Sequence, residues 1–223
     1  MELFPILKIQ VLTVKEACEM NKYKRKAPSL ELRDKVLILC GGKTEEIYFN
    51  KFKQKYKSGL KNVAVKITTC KYSNPIAIVD EAISLQNDFD EIWCVFDKDD
   101  FKDFDGAIRE SSRYPKINCA FSNEAIEYWF TLYFSNKIGT INRKKLNEMI
   151  SKQFGVEYDK SNAIIERVCE KLFTLNIQTA EECAKRGYEY HELHSGKNYS
   201  DWRSCTSVFM LTKRLRKWNE AKK

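Results

Sequence analysis

The chain has 223 residues, of which 43% are hydrophobic and 13% aromatic, and it carries a formal net charge of +8. This length and apolar content predict one sizeable domain, or one domain with a helical annex, and exclude a wholly disordered chain. No apolar run approaches the roughly 18 residues that a membrane-spanning helix needs, so no membrane role is expected. The positive charge favours polyanionic partners, nucleic acid above all.

Residues 1–34 are predicted to form an amino-terminal extension. Residues 1–10 lack the basic start and the small-residue cleavage site of a signal peptide, and Met20 is an alternative start. Basic runs at residues 22–26 and 213–217 fit either phosphate contacts or plain solvated tails. The sequence leaves that choice open.

The cysteines are spread singly along the chain, with no Cys-x-x-Cys pair. Cys40, Cys70, Cys94 and Cys119 lie in or at the ends of apolar, strand-like runs. This pattern is typical of reduced, buried thiols in a cytoplasmic protein, and it argues against a disulfide framework or a zinc site. A cytoplasmic location is therefore expected.

Apolar strand-like runs alternate with helical patterns from residue 35 to residue 121. The strands are expected to end near Cys40, Thr69, Phe96 and Phe121, with helices after Gly42, at 75–85 and near 105–112. Uninterrupted apolar runs indicate strands buried on both faces. The order predicts an α/β fold with a parallel sheet of about four strands flanked by helices.

Beyond residue 123 the pattern becomes mostly helical. Helices are predicted at 124–135, 142–153, 161–173, 177–186 and 204–219. The predicted organisation is thus an α/β core over residues 35–135 and a mostly helical carboxy-terminal part, residues 136–223, packed on that core.

Three acids follow the strand that is expected to end at Phe96, namely Asp97, Asp99 and Asp100. In open α/β sheets, ligands bind at the carboxyl ends of the strands. Neighbouring carboxylates repel one another, and a divalent cation with a preference for oxygen, Mg²⁺ or Mn²⁺, relieves that repulsion. An acidic helix start is the competing interpretation, because aspartate caps helices well.

Two other patterns carry no comparable signal. Gly42-Lys43-Thr44 follows a strand as a P-loop does, but the position five residues before Gly42 is Leu37 rather than glycine, so we reject a P-loop. His191 and His194 lack the four-residue spacing of a zinc-protease helix, and we interpret them as part of a surface loop.

Several motifs, taken in order, resemble the RloB-like family. They are Cys40-Gly-Gly-Lys-Thr-Glu-Glu-Ile-Tyr-Phe49, Phe96-Asp-Lys-Asp99, Ser122-Asn-Glu-Ala-Ile-Glu127-Tyr-Trp129, Tyr158-Asp-Lys160 and Thr206-Ser-Val208. The resemblance spans roughly residues 35–215. It implies a Toprim-like (Rossmann-like) fold in which the first and third strands are neighbours.

The resemblance also implies a function in bacterial anti-phage defence by abortive infection. The implied activity is a Mg²⁺-dependent nuclease, or a nuclease-derived effector, that acts on RNA or DNA. An ATPase of the AAA or ABC type is an implied partner, and a homo-oligomer is compatible with it. The implied metal ligands are Asp97 and Asp99, supported by Asp100 and Glu45.

Two further candidates come from the family motifs. Glu127 is implied to lie near the metal site, although capping or pairing with a basic residue is an equally good interpretation. Lys160 is implied to steady the scissile phosphate, although a solvated lysine is the simpler interpretation.

Gly41 is the main departure from the family pattern, which has glutamate there. The chain is therefore either a naturally disarmed member, a member in which Glu45 or Glu127 has taken over, or an altered sequence. The first possibility leads to a second hypothesis, a catalytically inactive Toprim-like scaffold that binds nucleic acid or an ATPase. A different phosphoryl transferase is a third. Glu124 replaces the family's proline, which is a milder change.

Overall fold

A five-stranded sheet forms the centre of the computed structural model, which describes residues 33–135, 139–196 and 198–218. The strands are β1 Asp34–Cys40, β2 Val63–Thr69, β3 Glu91–Asp97, β4 Ile117–Asn123 and β5 Cys205–Thr206. Their order is β2-β1-β3-β4-β5. The first four strands pair in parallel, and β5 pairs antiparallel to β4. The α/β prediction is confirmed, and so is the neighbouring placement of β1 and β3.

The helices cover both faces of this sheet. They are α1 Lys43–Lys55, α2 Pro75–Leu85, α3 Phe104–Ser111, α4 Glu127–Thr131, α5 Arg143–Phe154, α6 Asn162–Leu172, α7 Ile177–His194 and α8 Val208–Arg216. Short 3₁₀ turns span Lys57–Leu60 and Tyr199–Asp201. No described helix is long and apolar enough to cross a membrane.

The alternation of side chains along β1 divides the core into two layers. Val36, Ile38 and Cys40 pack with the buried side chains of α1 and α4 to α8. Leu37 and Leu39 point to the other face, where they pack with α2 and α3. Burial on both faces explains why this strand shows an unbroken apolar run rather than alternating polarity.

The fifth strand was not predicted, and the predicted helix at 204–219 is wrong in its first residues. Cys205 and Thr206 pair with β4, and α8 begins only at Val208. The predicted helix at 177–186 continues to His194, so the surface loop expected around the two histidines is also wrong. A two-residue strand is too short to give a recognisable sequence pattern, and Cys205 and Thr206 form a strand only by pairing with β4.

The described cysteines are free thiols, buried except for the partly exposed Cys119. Most of the predicted amino-terminal extension lies outside the described residues. The described residues, which begin at Arg33, belong to a single compact unit. The boundary near residue 135 therefore stays a prediction.

Ser207 joins the carboxy-terminal part to the sheet. Its hydroxyl accepts a hydrogen bond from Phe121 N–H at 2.9 Å and donates to the Cys119 carbonyl at 3.2 Å, and the residue is 1% exposed. Ser207→Ala leaves a buried N–H without its acceptor, which should cost about 1–3 kcal/mol of unfolding free energy. Urea denaturation measures this loss.

The matched control is Ser84→Ala, since the Ser84 hydroxyl donates to the Glu81 carbonyl on an exposed helix surface. We expect a change of less than about 0.5 kcal/mol there. Equal losses in the two variants would contradict the role given to Ser207.

Candidate functional site

The loops after β1 and β3 meet because the two strands pair in parallel. Cys40 lies opposite Val95 in the register, and Gly41 N–H donates to the Val95 carbonyl at 2.8 Å. A cavity of about 190 Å³ opens at this edge. Its lining residues are Gly41, Gly42, Thr44, Glu45, Ser73, Asp97, Asp99, Phe101, Ile126 and Lys160.

Glu45 reaches the cavity from the first turn of α1 and is only 5% exposed. Gly42 makes room for it, because a Cβ at residue 42 would lie 2.8 Å from the Glu45 Oε2 atom. Burial raises the pKa of Glu45 to about 7, and the Glu127 carboxylate adds to this while Lys160 opposes it. The Glu45 carboxyl group therefore titrates near neutral pH when no cation is bound.

Asp97 ends β3, and Asp99 stands two residues beyond it. Burial of the Asp97 carboxyl group raises its pKa well above the usual range, and the Glu45 and Glu127 carboxylates raise it further. Burial also raises the pKa of Asp99, against the opposing effect of Arg143. The Asp99 backbone is left-handed, with φ of 40°, and its N–H donates to the Glu124 carbonyl at 3.1 Å.

Glu127 is fully buried and holds two partners on one oxygen. Its Oε1 atom accepts from the Tyr158 hydroxyl at 2.9 Å and pairs with the Lys160 ammonium at 2.8 Å, while no described residue donates to its Oε2 atom. The backbone of Lys160 is left-handed, with φ of 61°. Both ends of the Tyr-Asp-Lys motif thus meet one carboxylate.

The structure brings most of the predicted site residues together. Glu45, Asp97, Asp99 and Lys160 line the cavity. Glu127 lies behind it and contacts Lys160. Asp100 is exposed to solvent and is not part of the cavity wall. These placements leave the catalytic and metal-binding roles as predictions.

Sequence reasoning missed Arg143, whose guanidinium forms an ion pair with the Asp99 carboxylate. It also missed Ser73 and Phe101 in the cavity wall. None of them belongs to a motif, and Arg143 stands 44 residues from Asp99 in the chain. Only the packing of α5 reveals this contact.

The donor atoms fit a hard divalent cation in chemistry and in charge. Carboxylates whose pKa values are raised by one another store a repulsion that such a cation relieves. Among the described residues, however, no three His, Cys, Asp or Glu side chains are arranged to hold a metal ion. The acids share a cavity without converging on one point.

Gly41 borders the cavity at the position where the family motif has glutamate. A Cβ at residue 41 would lie 3.1 Å from Ile78 Cδ1 and 3.6 Å from Phe96 Cβ. The closest atom is the end of a flexible side chain, so a shift of a few tenths of an ångström in Ile78 would accommodate a Cβ at residue 41.

Comparison with known proteins supports one assignment. The family model described as RloB-like protein matches residues 36–215. The chain belongs to the RloB-like family. No curated protein and no solved structure matches it.

Other RloB-like motif residues hold the fold rather than the site. The Ser122 hydroxyl lies 3.1 Å from the Thr206 hydroxyl, which links β4 to β5. The Asn123 side-chain amide donates to the Tyr199 and Ser200 carbonyls at 3.3 and 3.0 Å. These contacts fix the end of β4, from which the chain turns toward Glu127.

In buffer with a chelator, we expect the chain to lose stability as the pH rises from about 4.5 to 7. The pKa of Glu45 is raised from 4.5 to about 7 by folding. Protonation of Glu45 therefore stabilises the folded chain fully below about pH 4.5, and this stabilisation is lost as the pH rises through about 7. The unfolding free energy of the unmodified chain should fall by roughly 3 kcal/mol over this pH range, and Glu45→Gln should lack this decrease. Denaturation curves between pH 5 and 8 measure it.

Glu46→Gln is the matched control, because the Lys43 side chain and the Thr69 hydroxyl hold the pKa of Glu46 below its usual range. The ionised Glu46 therefore stabilises the chain above pH 4.5 rather than below it. Glu46→Gln should still lose stability as the pH rises from about 4.5 to 7. The explanation fails if the unmodified chain and Glu45→Gln lose the same stability between pH 5 and 8.

Proposed function

We propose that this RloB-like protein is a metal-dependent nuclease that hydrolyses phosphodiester bonds of RNA or DNA. The observation that carries the proposal is a single cavity lined by Glu45, Asp97, Asp99 and Lys160 at the carboxyl ends of β1 and β3. A group of oxygen donors beside a fixed ammonium is what phosphodiester hydrolysis needs. The positive net charge of +8 suits a nucleic-acid substrate.

Asp97 and Asp99 would hold Mg²⁺ or Mn²⁺, with Glu45 as a further ligand from α1 and Asp100 adding negative charge from the solvent side. A cation bound there supplies Lewis acidity and a water of lowered pKa. Burial and neighbouring carboxylates raise the pKa values of Glu45 and Asp97, and a bound cation would favour the ionised form of both groups, which supports this assignment.

Lys160 would neutralise charge on the phosphate that undergoes attack. Its side chain is 39% exposed and borders the cavity, while its Glu127 partner is wholly buried. Loss of the ammonium would leave the buried Glu127 carboxylate with the Tyr158 hydroxyl as its remaining hydrogen-bond partner among the described residues, which favours keeping the ammonium in place. A fixed cation stabilises developing negative charge without reorganising during the reaction.

The biological part of the proposal follows the family resemblance. We propose that the chain is an effector of bacterial anti-phage defence and acts in the cytoplasm beside an ATPase partner of the AAA or ABC type. A homo-oligomer is compatible with this role. The second candidate function is an inactive scaffold that binds nucleic acid or the ATPase. Gly41 favours this second candidate, as does the lack of three converging metal ligands among the described residues.

The decisive experiment compares cleavage of a panel of RNAs and DNAs by the unmodified chain and by Gly41→Glu, in Mg²⁺ and in Mn²⁺. We expect weak cleavage by the unmodified chain, and a gain in Gly41→Glu of roughly tenfold, equal to about 1.4 kcal/mol of transition-state stabilisation. Metal affinity should rise as well, because the site gains a carboxylate. Asp97→Asn should abolish cleavage in both backgrounds.

Glu110→Gln serves as the control, since this acid of α3 pairs with Arg113, which follows the helix, and lies outside the cavity wall. Brisk cleavage by the unmodified chain that Glu45→Gln abolishes and Gly41→Glu does not improve would show that Glu45 has replaced the missing acid. Metal-independent binding of nucleic acid without cleavage in any variant would favour the scaffold.

A further inference from the structure

The outer edge of β4 is only partly covered by the rest of the described chain. Strand β5 pairs with the last two residues of β4, and no other described strand lies on this edge. On the inner edge, Ile92 N–H of β3 donates to the Lys116 carbonyl at 2.8 Å. Because backbone groups alternate between the two edges of a strand, those of Ile117, Cys119 and Phe121 point to the outer edge.

Ser207 satisfies one end of this outer edge. Its hydroxyl accepts from Phe121 N–H and donates to the Cys119 carbonyl, while its own N–H donates to the Phe121 carbonyl at 2.9 Å. At the other end, Ile117 N–H donates to the Tyr114 carbonyl at 3.0 Å. Among the described residues, nothing donates to the Ile117 carbonyl and nothing accepts from Cys119 N–H. One acceptor and one donor are thus left next to each other on the edge.

A groove of about 220 Å³ lies along this edge, with residues of α3 on one side and of α8 on the other. Ile117 and Cys119, which carry the two free backbone groups, line it. Its wall also holds the rings of Phe121, Tyr188 and Tyr199, and none of its lining residues is charged. The groove is smaller than the roughly 300 Å³ at which pockets for drug-sized ligands begin. It therefore suits a small, flat and neutral ring.

The backbone groups of the edge decide between a peptide and a heterocycle. An extended peptide that adds to a sheet pairs with several residues in succession, and Ser207 already occupies the edge beyond Cys119. A nucleobase needs one donor and one acceptor side by side, and its faces stack on aromatic rings. The free pair and the aromatic wall match the nucleobase.

We propose that the groove at the outer edge of β4 binds a neutral nucleobase. With adenine, the N6 amino group donates to the Ile117 carbonyl, and ring atom N1 accepts from Cys119 N–H. The rings of the wall stack on the base. This site does not rest on the proposed nuclease function, because it uses neither the acids nor the lysine of the cavity at the ends of β1 and β3.

The test uses the full chain in buffer with a chelator, and it measures binding rather than cleavage. Calorimetric titration compares adenosine with three analogues. 1-Methyladenosine lacks the N1 acceptor and N6,N6-dimethyladenosine lacks the amino donor, whereas 7-deazaadenosine keeps both. We expect the first two to bind roughly tenfold more weakly than adenosine, because each leaves one backbone group unpaired. 7-Deazaadenosine should bind like adenosine.

Nuclear magnetic resonance observes the proposed hydrogen bond directly. In a chain labelled with ¹⁵N-cysteine, the Cys119 amide signal is identified by its absence from Cys119→Ala. Adenosine should move this signal downfield, because the N–H then donates to a ring nitrogen. A Cys119 signal that stays in place while adenosine binds overturns the proposed pairing.

A blocking variant tests the position of the site. Ser112 is exposed at the rim of the groove, and its hydroxyl donates to the Arg109 carbonyl at 2.7 Å. Ser112→Trp should weaken adenosine binding several-fold by placing an indole at the entrance. Ser84→Trp is the matched control, since the Ser84 hydroxyl makes the same kind of contact with the Glu81 carbonyl outside the groove. Equal adenosine affinity in the two variants overturns the position.

Single-stranded oligoadenylate separates the two sources of such a base. Competition between oligoadenylate and adenosine assigns the groove to a base of a nucleic-acid strand, and adenosine binding without competition assigns it to a free nucleoside. If the folded chain binds neither, the inference is wrong. It is also wrong if N-acetylalanine methylamide, which has a donor and an acceptor but no ring, competes as well as adenosine. None of these results depends on metal binding or cleavage, so the proposed nuclease function stands or falls separately.

Discussion

Parallel pairing between β1 and β3 is the constraint on which the site depends. The hydrogen bond from Gly41 N–H to the Val95 carbonyl carries this pairing one residue past the end of β1. Asp97 at the end of β3 is thereby placed beside the turn that opens α1. Because both strands are buried on both faces, neither can slip in register without exposing its core side chains. The apolar packing thus forces the acids together.

Burying these carboxylates close together costs free energy, and the compensating contacts differ between Glu127 and Glu45. Glu127 is fully buried but carries Lys160 and Tyr158 on one oxygen. Glu45 is nearly as buried, and burial raises its pKa to about 7 although a backbone hydrogen bond and the Lys160 ammonium both oppose the rise. The site therefore holds protons that a cation could displace, which links metal affinity to pH. Without a cation, the site loses stability as the pH rises and its carboxyl groups ionise.

The sequence was sufficient for the fold wherever hydrophobic burial alone decides the local structure. The runs ending at Cys40 and Phe96 are buried on both faces and were identified as parallel strands. The two-residue β5 was not, because Cys205 and Thr206 become a strand only by pairing with Ser122 and Asn123 at the end of β4. Contacts between residues far apart in the sequence could not be predicted either. No local pattern connects Arg143 to Asp99.

Gly41 has a geometric consequence beyond the loss of one charge. Side chains alternate along β1, so residue 41 begins on the face of Ile78 and Phe96, opposite to Cys40. Glu45 comes from α1, whose buried side chains pack on the Cys40 face. A glutamate at residue 41 would therefore begin on the face opposite to that of Glu45, and it would add a carboxylate to a cavity in which no three acids of the described residues are arranged to hold a metal ion.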